Sequence, residues 1–232
     1  MEQIKPGLFT KQVAADSRRS EFDGKNEQIL NAGRRPDFVF IGDSITHGWE
    51  LSLYFGGSGK LIVNRGIGGD IPYYISRRFA ADVLQLSPGC AVVLCGINET
   101  WGFEACDGEE ALTVAYNETI ERIIKPLREI AAACQHGLTP LALCSVLPIY
   151  GLDTPAVNAR KRLIVAANKE IQALCSGHKA IYVDYHTALC EEDGLSLRPA
   201  LSPDGCHMNG AGYQAMASVL RDTLCKSGYP ID

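Results

Sequence analysis

The feature that most constrains the fold is a series of five short apolar runs separated by longer amphipathic stretches. The runs occupy residues 37–41, 61–63, 90–95, 139–146 and 180–183. Several are rich in β-branched or aromatic residues, which is typical of strands buried on both faces. Strands that alternate with helices predict a mostly parallel sheet covered by helices on both sides.

The stretches between the runs carry the spacing of amphipathic helices. In residues 71–86 the apolar positions are 71, 75, 79, 83 and 86, which lie on one helical face. Residues 109–135 predict a long helix that Pro126 kinks or divides. Further helices are predicted over residues 20–33, 156–175 and 209–225.

The 232 residues contain no internal repeat, low-complexity tract or linker. One domain spanning residues 1–232 is therefore the simplest organisation, with residues 1–35 as a segment that leads into the sheet. The 27 acidic and 22 basic residues give a net charge of −5, so electrostatics offer no reason to expect nucleic-acid binding. Three arginine pairs, at positions 18–19, 34–35 and 77–78, are interpreted as solvated helix faces and ends.

The nine cysteines and the N-terminus bear on cellular location. Several cysteines lie inside apolar runs and none forms a CxxC pair, so we expect small core residues in a reducing compartment. The N-terminus has no apolar signal core, and no run approaches the ~18 apolar residues of a membrane span. We expect a cytoplasmic protein without a membrane span, or a secreted or periplasmic one if a leader has been removed.

Polar motifs follow the predicted strands where each strand ends. They are Gly42-Asp43-Ser44, residues 64–70 ("NRGIGGD"), residues 96–99 ("GINE") and residues 202–213 ("SPDGCHMNGAGY"). The carboxyl ends of parallel strands meet at one edge of a sheet, so these motifs converge. Together they supply a nucleophile, a base, an orienting carboxylate and donors for an oxyanion.

Each motif also has a plain structural explanation. A serine or aspartate here can cap a helix, glycines can form turns, and a histidine can be a surface residue. In the chemical interpretation, Ser44 is the nucleophile, His207 is the base that removes its proton, and Asp204 holds the imidazole in the required tautomer. Asp43 is expected to support the serine loop by hydrogen bonding.

The strings "GDSIT", "GIGGD", "GIN" and "DGCHMN", in this order, resemble the conserved blocks of the SGNH hydrolases, also called the GDSL esterase/lipase family. Residues 64–70 are most similar to the branch of platelet-activating-factor acetylhydrolase catalytic subunits and carbohydrate acetylesterases. The resemblance implies a flavodoxin-like, three-layer αβα sandwich whose five-stranded parallel sheet has the order 2-1-3-4-5. It also assigns an oxyanion hole to the backbone N–H groups of Ser44 and Gly69 and the side-chain amide of Asn98.

The sequence departs from the family pattern at three positions, Glu99, Cys206 and Met208, none of which replaces a catalytic group. Candidate pocket residues beside the motifs are His47, Trp101 and Phe103. The remaining histidines show no metal-ligand spacing, so neither a metal nor a cofactor is expected.

The predicted function is a serine ester hydrolase acting through an acyl-enzyme. A short-chain esterase that removes acetyl groups from carbohydrate or other small esters is favoured. A lysophospholipase or acyl-thioesterase with the same mechanism is the alternative, and a catalytically dead binding module is a third. The expected partner is a small-molecule ester, and a homo-oligomer is left open.

Overall fold

The computed structural model describes residues 3–4, 13–105 and 109–232. Five strands form one sheet: β1 (Phe38–Gly42), β2 (Ile62–Gly66), β3 (Cys90–Leu94), β4 (Leu141–Cys144) and β5 (Ile181–Val183). All neighbouring strands are parallel, and their order is β2-β1-β3-β4-β5. The predicted strand direction and order are therefore confirmed.

The α-helices in the described ranges connect and flank these strands. They are α1 (Val13–Asn31), α2 (Ser44–His47), α3 (Leu51–Phe55), α4 (Pro72–Asp82), α5 (Glu109–His136), α6 (Pro155–His178), α7 (Tyr185–Leu189) and α8 (Gly210–Lys226). Short 3₁₀ helices occupy Gly56–Ser58, Leu84–Leu86, Ile97–Ala105 and Pro199–Leu201. None of these helices combines the length and apolarity needed to cross a bilayer.

The strand order determines how the helices are layered. The connection from β1 to β2 runs in the opposite direction to the other three, and right-handed crossovers therefore put their helices on opposite faces. On one face, α4 packs against α5 and α5 against α6. On the other, α8 joins α2, since the Tyr213 hydroxyl donates to the Ile45 carbonyl at 2.8 Å. The result is an α/β sandwich.

Two helices differ from their predictions, one in where it ends and the other in being continuous. The helix predicted over 71–86 stops at Asp82, and the apolar pattern continues into the 3₁₀ turn Leu84–Leu86. Pro126 does not divide α5, which is continuous from Glu109 to His136. α5 packs against both α4 and α6. Such tertiary packing offsets the loss of the backbone hydrogen bond that a proline cannot donate.

The core lies between the sheet and its two helical layers. Every residue of β1 and β3 is buried, as expected for central parallel strands. Eight cysteines fall in the described ranges and are free thiols; Cys106 lies outside them. Six of the eight are buried, in agreement with their predicted role as small core residues: Cys90, Cys95, Cys134, Cys144, Cys175 and Cys206.

Two arginines from the three pairs, Arg19 and Arg78, are buried, so the interpretation of these two as solvated is wrong. Arg19 is 2% exposed and Arg78 is 1% exposed. Both form ion pairs with Asp82, at 3.2 Å and 3.0 Å, and Arg78 also pairs with Asp70 at 2.8 Å. Buried arginines of this kind need carboxylate partners, and here the partners come from α4 and the segment before it.

Side chains cover part of the outer edge of β2, whose only neighbouring strand among the described residues is β1. The Arg65 guanidinium donates to the Asn64 carbonyl at 2.9 Å. The Asn64 side chain accepts from the Gly66 N–H at 2.8 Å, and Arg18 donates to the Gly66 carbonyl at 3.0 Å. These contacts satisfy backbone groups that an edge strand leaves open.

One buried asparagine ties α6 to the segment after β4. Asn168 is 6% exposed. Its side chain accepts from the Val146 N–H at 2.7 Å and donates to the Val146 carbonyl at 2.9 Å. The side chain thus continues the ladder where strand pairing ends.

Replacing Asn168 with alanine should lower the free energy of unfolding by about 2–4 kcal/mol, because it strands two buried backbone groups. Urea unfolding measures the loss. The control is Asn158→Ala, also in α6, whose amide binds the exposed Asp153 at 2.7 Å; it should change stability by less than about 0.5 kcal/mol. Equal effects of the two substitutions would contradict the assigned role.

Candidate active site

Ser44 is the first residue of α2, two residues beyond the end of β1. A Cβ at Gly42 would lie 2.2 Å from the Leu94 carbonyl oxygen and 2.3 Å from Thr46 Oγ1, so only glycine fits at this turn. The Asp43 side chain caps α2 by accepting from the Ile45 N–H at 2.9 Å. The chain therefore turns sharply off the sheet and presents Ser44 at its carboxyl edge.

Ser44, His207 and Asp204 form a continuous hydrogen-bonded series. Ser44 Oγ lies 3.0 Å from His207 Nε2, and His207 Nδ1 lies 2.7 Å from Asp204 Oδ2. The side chains of His207 and Asp204 are about half exposed, at 49% and 50%. The loop before α8 thus brings an imidazole and a carboxylate to the serine, and the three residues singled out in the sequence lie together.

Asp204 is also fixed by its own loop. Its Oδ1 accepts from the backbone N–H groups of Cys206 at 2.9 Å and His207 at 2.8 Å. Burial acts to raise the pKa of Asp204, but the hydrogen bonds from His207 and Cys206 outweigh it and hold the pKa below its ordinary value. The ionised carboxylate accepts a hydrogen bond from Nδ1–H, so the proton stays on Nδ1 and Nε2 is the acceptor facing Ser44.

The segment after β2 approaches the serine closely. Gly69 has a φ of +77°, in the left-handed region that glycine enters without strain. A Cβ at Gly68 would be 4.0 Å from the Cβ of Ser44. Asn98, in the 3₁₀ helix after β3, donates its side-chain amide to the Asp70 carbonyl at 2.9 Å. The three segments predicted to form an oxyanion hole are therefore neighbours.

The Ser44 N–H has a further property that bears on anion binding. The first N–H groups of a helix have no partner within that helix. Ser44 occupies that position in α2. Its amide can therefore donate to a group bound above the serine.

His47 lies near the serine loop but faces a separate cavity. Its Nδ1 would be 3.7 Å from a Cβ at Gly68. The cavity, of 490 Å³, lies between α1, α3 and the edge of β2, and Arg18 and Asn64 also line it. Partial burial, followed by the charge of Arg18, lowers the pKa of His47. His47 therefore lines this cavity while its ring stays close to the Gly68 turn.

Trp101 is 51% exposed and lies three residues beyond Asn98. The guanidinium carbon of Arg160, on α6, is 3.5 Å from the centre of its ring. Arg160 is buried and donates to Thr100 Oγ1 at 2.6 Å. A cation–π contact of this kind fixes one face of the indole and leaves the ring half open to solvent. The side chain of Phe103 lies outside the part of the chain that the structure describes.

A second cavity begins beside the Asn98 segment. It has a volume of 590 Å³ and lies in the groove between α4 and α5. Ile71 and Glu99, which directly follow Asp70 and Asn98, line it together with Tyr73 and Pro126. The Arg122–Glu99 ion pair, at 3.0 Å, also lies in its lining.

Sequence reasoning missed the charged residues that support this site. Asp70 belongs to the "NRGIGGD" motif without an assigned role, and the sequence predicts that Arg78 is solvated. Asp82, four residues after Arg78 on α4, was the one local signal that the arginine had a partner. Arg160 carried no signal at all, because its partner Trp101 is distant in sequence. In the described ranges, His, Cys, Asp and Glu side chains form no metal-binding cluster.

Asp43 is a buried carboxyl beside the serine. Burial raises its pKa to about 7, and the nearby Asp70 adds to the effect, although the hydrogen bond from Ile45 opposes it. One of its oxygens, Oδ2, has no hydrogen-bond partner among the described residues. The protonated form is therefore favoured in the folded protein relative to the unfolded chain.

The chain matches a family model described as the GDSL-like lipase/acylhydrolase family over residues 40–215. No curated protein matches it. Among solved structures, a candidate acylhydrolase from Bacteroides fragilis is 25% identical, with a TM-score of 0.70; the alignment covers 94% of this chain and 99% of that chain.

Two further solved structures are similar. A candidate platelet activating factor from Streptococcus pneumoniae is 26% identical with a TM-score of 0.69, covering 90% of this chain and 93% of that one. Axe2, an acetylxylan esterase from Geobacillus stearothermophilus, is 19% identical with a TM-score of 0.64, covering 82% and 94%. At that identity, the likeness to Axe2 concerns the fold alone.

The raised pKa of Asp43 predicts a specific pH dependence of stability. Because the folded protein binds this proton more tightly than the unfolded chain, the group stabilises the fold at low pH and loses that effect between about pH 4 and pH 7. Asp43→Asn should therefore gain stability relative to the wild type as pH rises through this window. Urea unfolding at a series of pH values measures the difference.

The matched control is Asp184→Asn, the same exchange at the cap of α7, where Asp184 accepts from the Thr187 N–H at 3.1 Å. Parallel stability curves for the wild type and Asp43→Asn across the window would show that the pKa of Asp43 is not raised.

Proposed function

The chain belongs to the GDSL-like lipase/acylhydrolase family, and on that premise we propose that it is a serine esterase acting through an acyl-enzyme. We further propose that it removes short acyl groups, acetyl above all, from carbohydrate or other small esters. The observation that carries the mechanism is the hydrogen-bonded series Ser44–His207–Asp204.

The reaction follows from this geometry. His207 Nε2 removes the Ser44 hydroxyl proton as Oγ bonds to the ester carbonyl carbon. The tetrahedral intermediate collapses, the alcohol leaves with the proton held on Nε2, and an acyl-Ser44 ester remains. Water then gives a proton to Nε2 as it attacks the acyl carbon. When this second tetrahedral intermediate collapses, Nε2 returns the proton to Ser44 Oγ, which releases the carboxylic acid and restores the hydroxyl. Asp204 stabilises the imidazolium in both steps.

The oxyanion of each intermediate needs donors that are already in place. The proposed donors are the backbone N–H groups of Ser44 and Gly69 and the side-chain amide of Asn98. Support comes from the hydrogen bond of Asn98 to the Asp70 carbonyl, which joins the two loops. Losing one such donor typically costs about 3 kcal/mol of transition-state stabilisation.

The short-acyl preference rests on Trp101. The contact with Arg160 holds the indole at the end of the Asn98 segment, so the ring does not swing aside freely. A fixed wall converts the gain from an added methylene, ~0.8 kcal/mol, into an overpacking cost of ~1–3 kcal/mol. An acetyl group avoids that cost.

The cavity between α4 and α5 favours a second candidate function, a lysophospholipase or long-chain acyl hydrolase. Its 590 Å³ is within the size range of small-molecule sites, and Ile71, Tyr73 and Pro126 supply apolar surface. If a long acyl chain bound there, Tyr73→Ala would reduce activity on octanoyl esters more than on acetyl esters. The third alternative, a catalytically dead binding module, is disfavoured by the complete hydrogen-bonded series.

Ser44→Ala and His207→Ala should each abolish most hydrolysis of p-nitrophenyl acetate while leaving the fold intact. The two side chains act as one unit, so the double variant should be little worse than either single variant. Circular dichroism checks the fold, and a fluorophosphonate probe tests labelling of Ser44. Retained activity in Ser44→Ala would remove the nucleophile assignment, and fully additive losses would show that His207 acts independently.

Across p-nitrophenyl esters of increasing length, kcat/KM should fall once the acyl chain exceeds about four carbons, given typical overpacking costs. Trp101→Ala should relax this limit. Leu138→Ala, at an exposed turn before β4, should not. A steady rise in kcat/KM from acetyl to octanoyl in the wild type would favour the long-chain alternative instead. Parallel assays on acetylated sugars test whether a carbohydrate is the alcohol part of the substrate.

A further inference from the structure

We propose that Asp70 and Arg78 are positioning residues that set the geometry of the oxyanion hole. They would do so by holding the Gly69–Asp70 loop, and through it the Asn98 amide, against the end of β1. This inference rests on the proposed esterase function. Neither residue touches the reacting atoms, so both would act through Asn98 and Gly69.

Asp70 is fixed at both of its carboxylate oxygens. Oδ2 accepts from Arg78, with Nη2 at 2.8 Å and Nε also at 2.8 Å. Oδ1 accepts from the Ile71 N–H at 3.1 Å. The Asp70 N–H donates to the Ile67 carbonyl at 3.2 Å, which closes the turn that contains Gly69. Contacts of the Asp70 side chain and of the Asp70 backbone therefore both hold the Gly69–Asp70 loop in its conformation.

Arg78 joins this loop to the ends of two strands. Its guanidinium donates to the Gly42 carbonyl at 3.2 Å and to the Arg65 carbonyl at 2.8 Å. Gly42 ends β1 two residues before Ser44, and Arg65 lies in β2. The planar, five-donor guanidinium can serve these carbonyls and Asp70 at once, whereas the three-donor ammonium of lysine cannot reproduce that pattern.

Asp70 passes this constraint to Asn98 through its backbone. The Asp70 carbonyl accepts one hydrogen of the Asn98 amide at 2.9 Å. An amide nitrogen carries two hydrogens in one plane, so fixing the first also fixes the direction of the second. A shift of the Asp70 carbonyl would turn the proposed oxyanion donor, and catalysis by such donors depends strongly on position.

The test compares Asp70→Asn and Arg78→Lys in two backgrounds, the wild type and Asn98→Ala. Asp70→Asn keeps the shape of the side chain, and Arg78→Lys keeps the charge, so either variant can serve if the other fails to fold. In the wild-type background each should lower kcat on p-nitrophenyl acetate by roughly 10- to 100-fold, less than full loss of a donor. KM should change by less than about three-fold, because the ground state does not use the oxyanion donors.

The Asn98→Ala background separates positioning from general damage. Once the amide is absent, the same substitutions at Asp70 and Arg78 should reduce kcat by a clearly smaller factor, since part of what they position is gone. An equal factor in the two backgrounds would overturn the inference. The inference would also be overturned if the Asp70 and Arg78 variants changed only KM and the unfolding transition and left kcat unchanged.

Arg19→Lys is the matched control. Arg19 is as deeply buried as Arg78, but among the described residues its ion pairs go to Asp82, at 3.2 Å, and to Asp23 rather than to either loop of the site. It should lower the melting temperature without changing kcat. A wild type that neither hydrolyses p-nitrophenyl acetate nor reacts with a fluorophosphonate would refute the proposed function itself, whereas an active wild type with unaffected Asp70 and Arg78 variants would refute only this inference.

Discussion

The site depends on a close approach between the ends of two strands and the backbone of α2. A Cβ at Gly66 would lie 2.2 Å from the His47 nitrogen and 2.6 Å from the His47 Cα. At the end of β1, a Cβ at Gly42 would lie 2.2 Å from the Leu94 carbonyl oxygen of β3 and 2.3 Å from Thr46 Oγ1 of α2. With no side chain at these two positions, α2 can lie directly on the sheet edge. The position of Ser44 thus depends on glycine at the ends of both strands.

The sheet could be predicted from the sequence because buried parallel strands leave a local signal. Each apolar run overlaps an observed strand, with ends differing by up to three residues. The apolar runs alone do not determine the strand order. That prediction also needed the alternation of strands with helices and the resemblance to a known family. Helix ends were less predictable: Val83 and Leu86 continue the apolar spacing of α4 beyond Asp82, because both α-helical and 3₁₀ turns can bury such residues.

The candidate site was predictable where its residues lie in short motifs, as Ser44, Asn98 and His207 do. Residues that owe their role to distant partners were not. Arg78 resembles a surface arginine until the fold brings it to the Gly42 and Arg65 carbonyls at the ends of β1 and β2. The cavity that His47 lines beside α1 could not be predicted either, because residues from α1, α3 and β2 form it together.

The covered edge of β2 has a consequence for assembly. A strand from another molecule extends a sheet by pairing with free backbone groups, which is also how ordered aggregates begin. On β2 the carbonyls of Asn64 and Gly66 are occupied by Arg65 and Arg18, and the Gly66 amide by the Asn64 side chain. A second copy that docked there would first have to displace two guanidinium groups. The two arginines at the outer edge of β2 therefore disfavour self-association through a continuous intermolecular sheet.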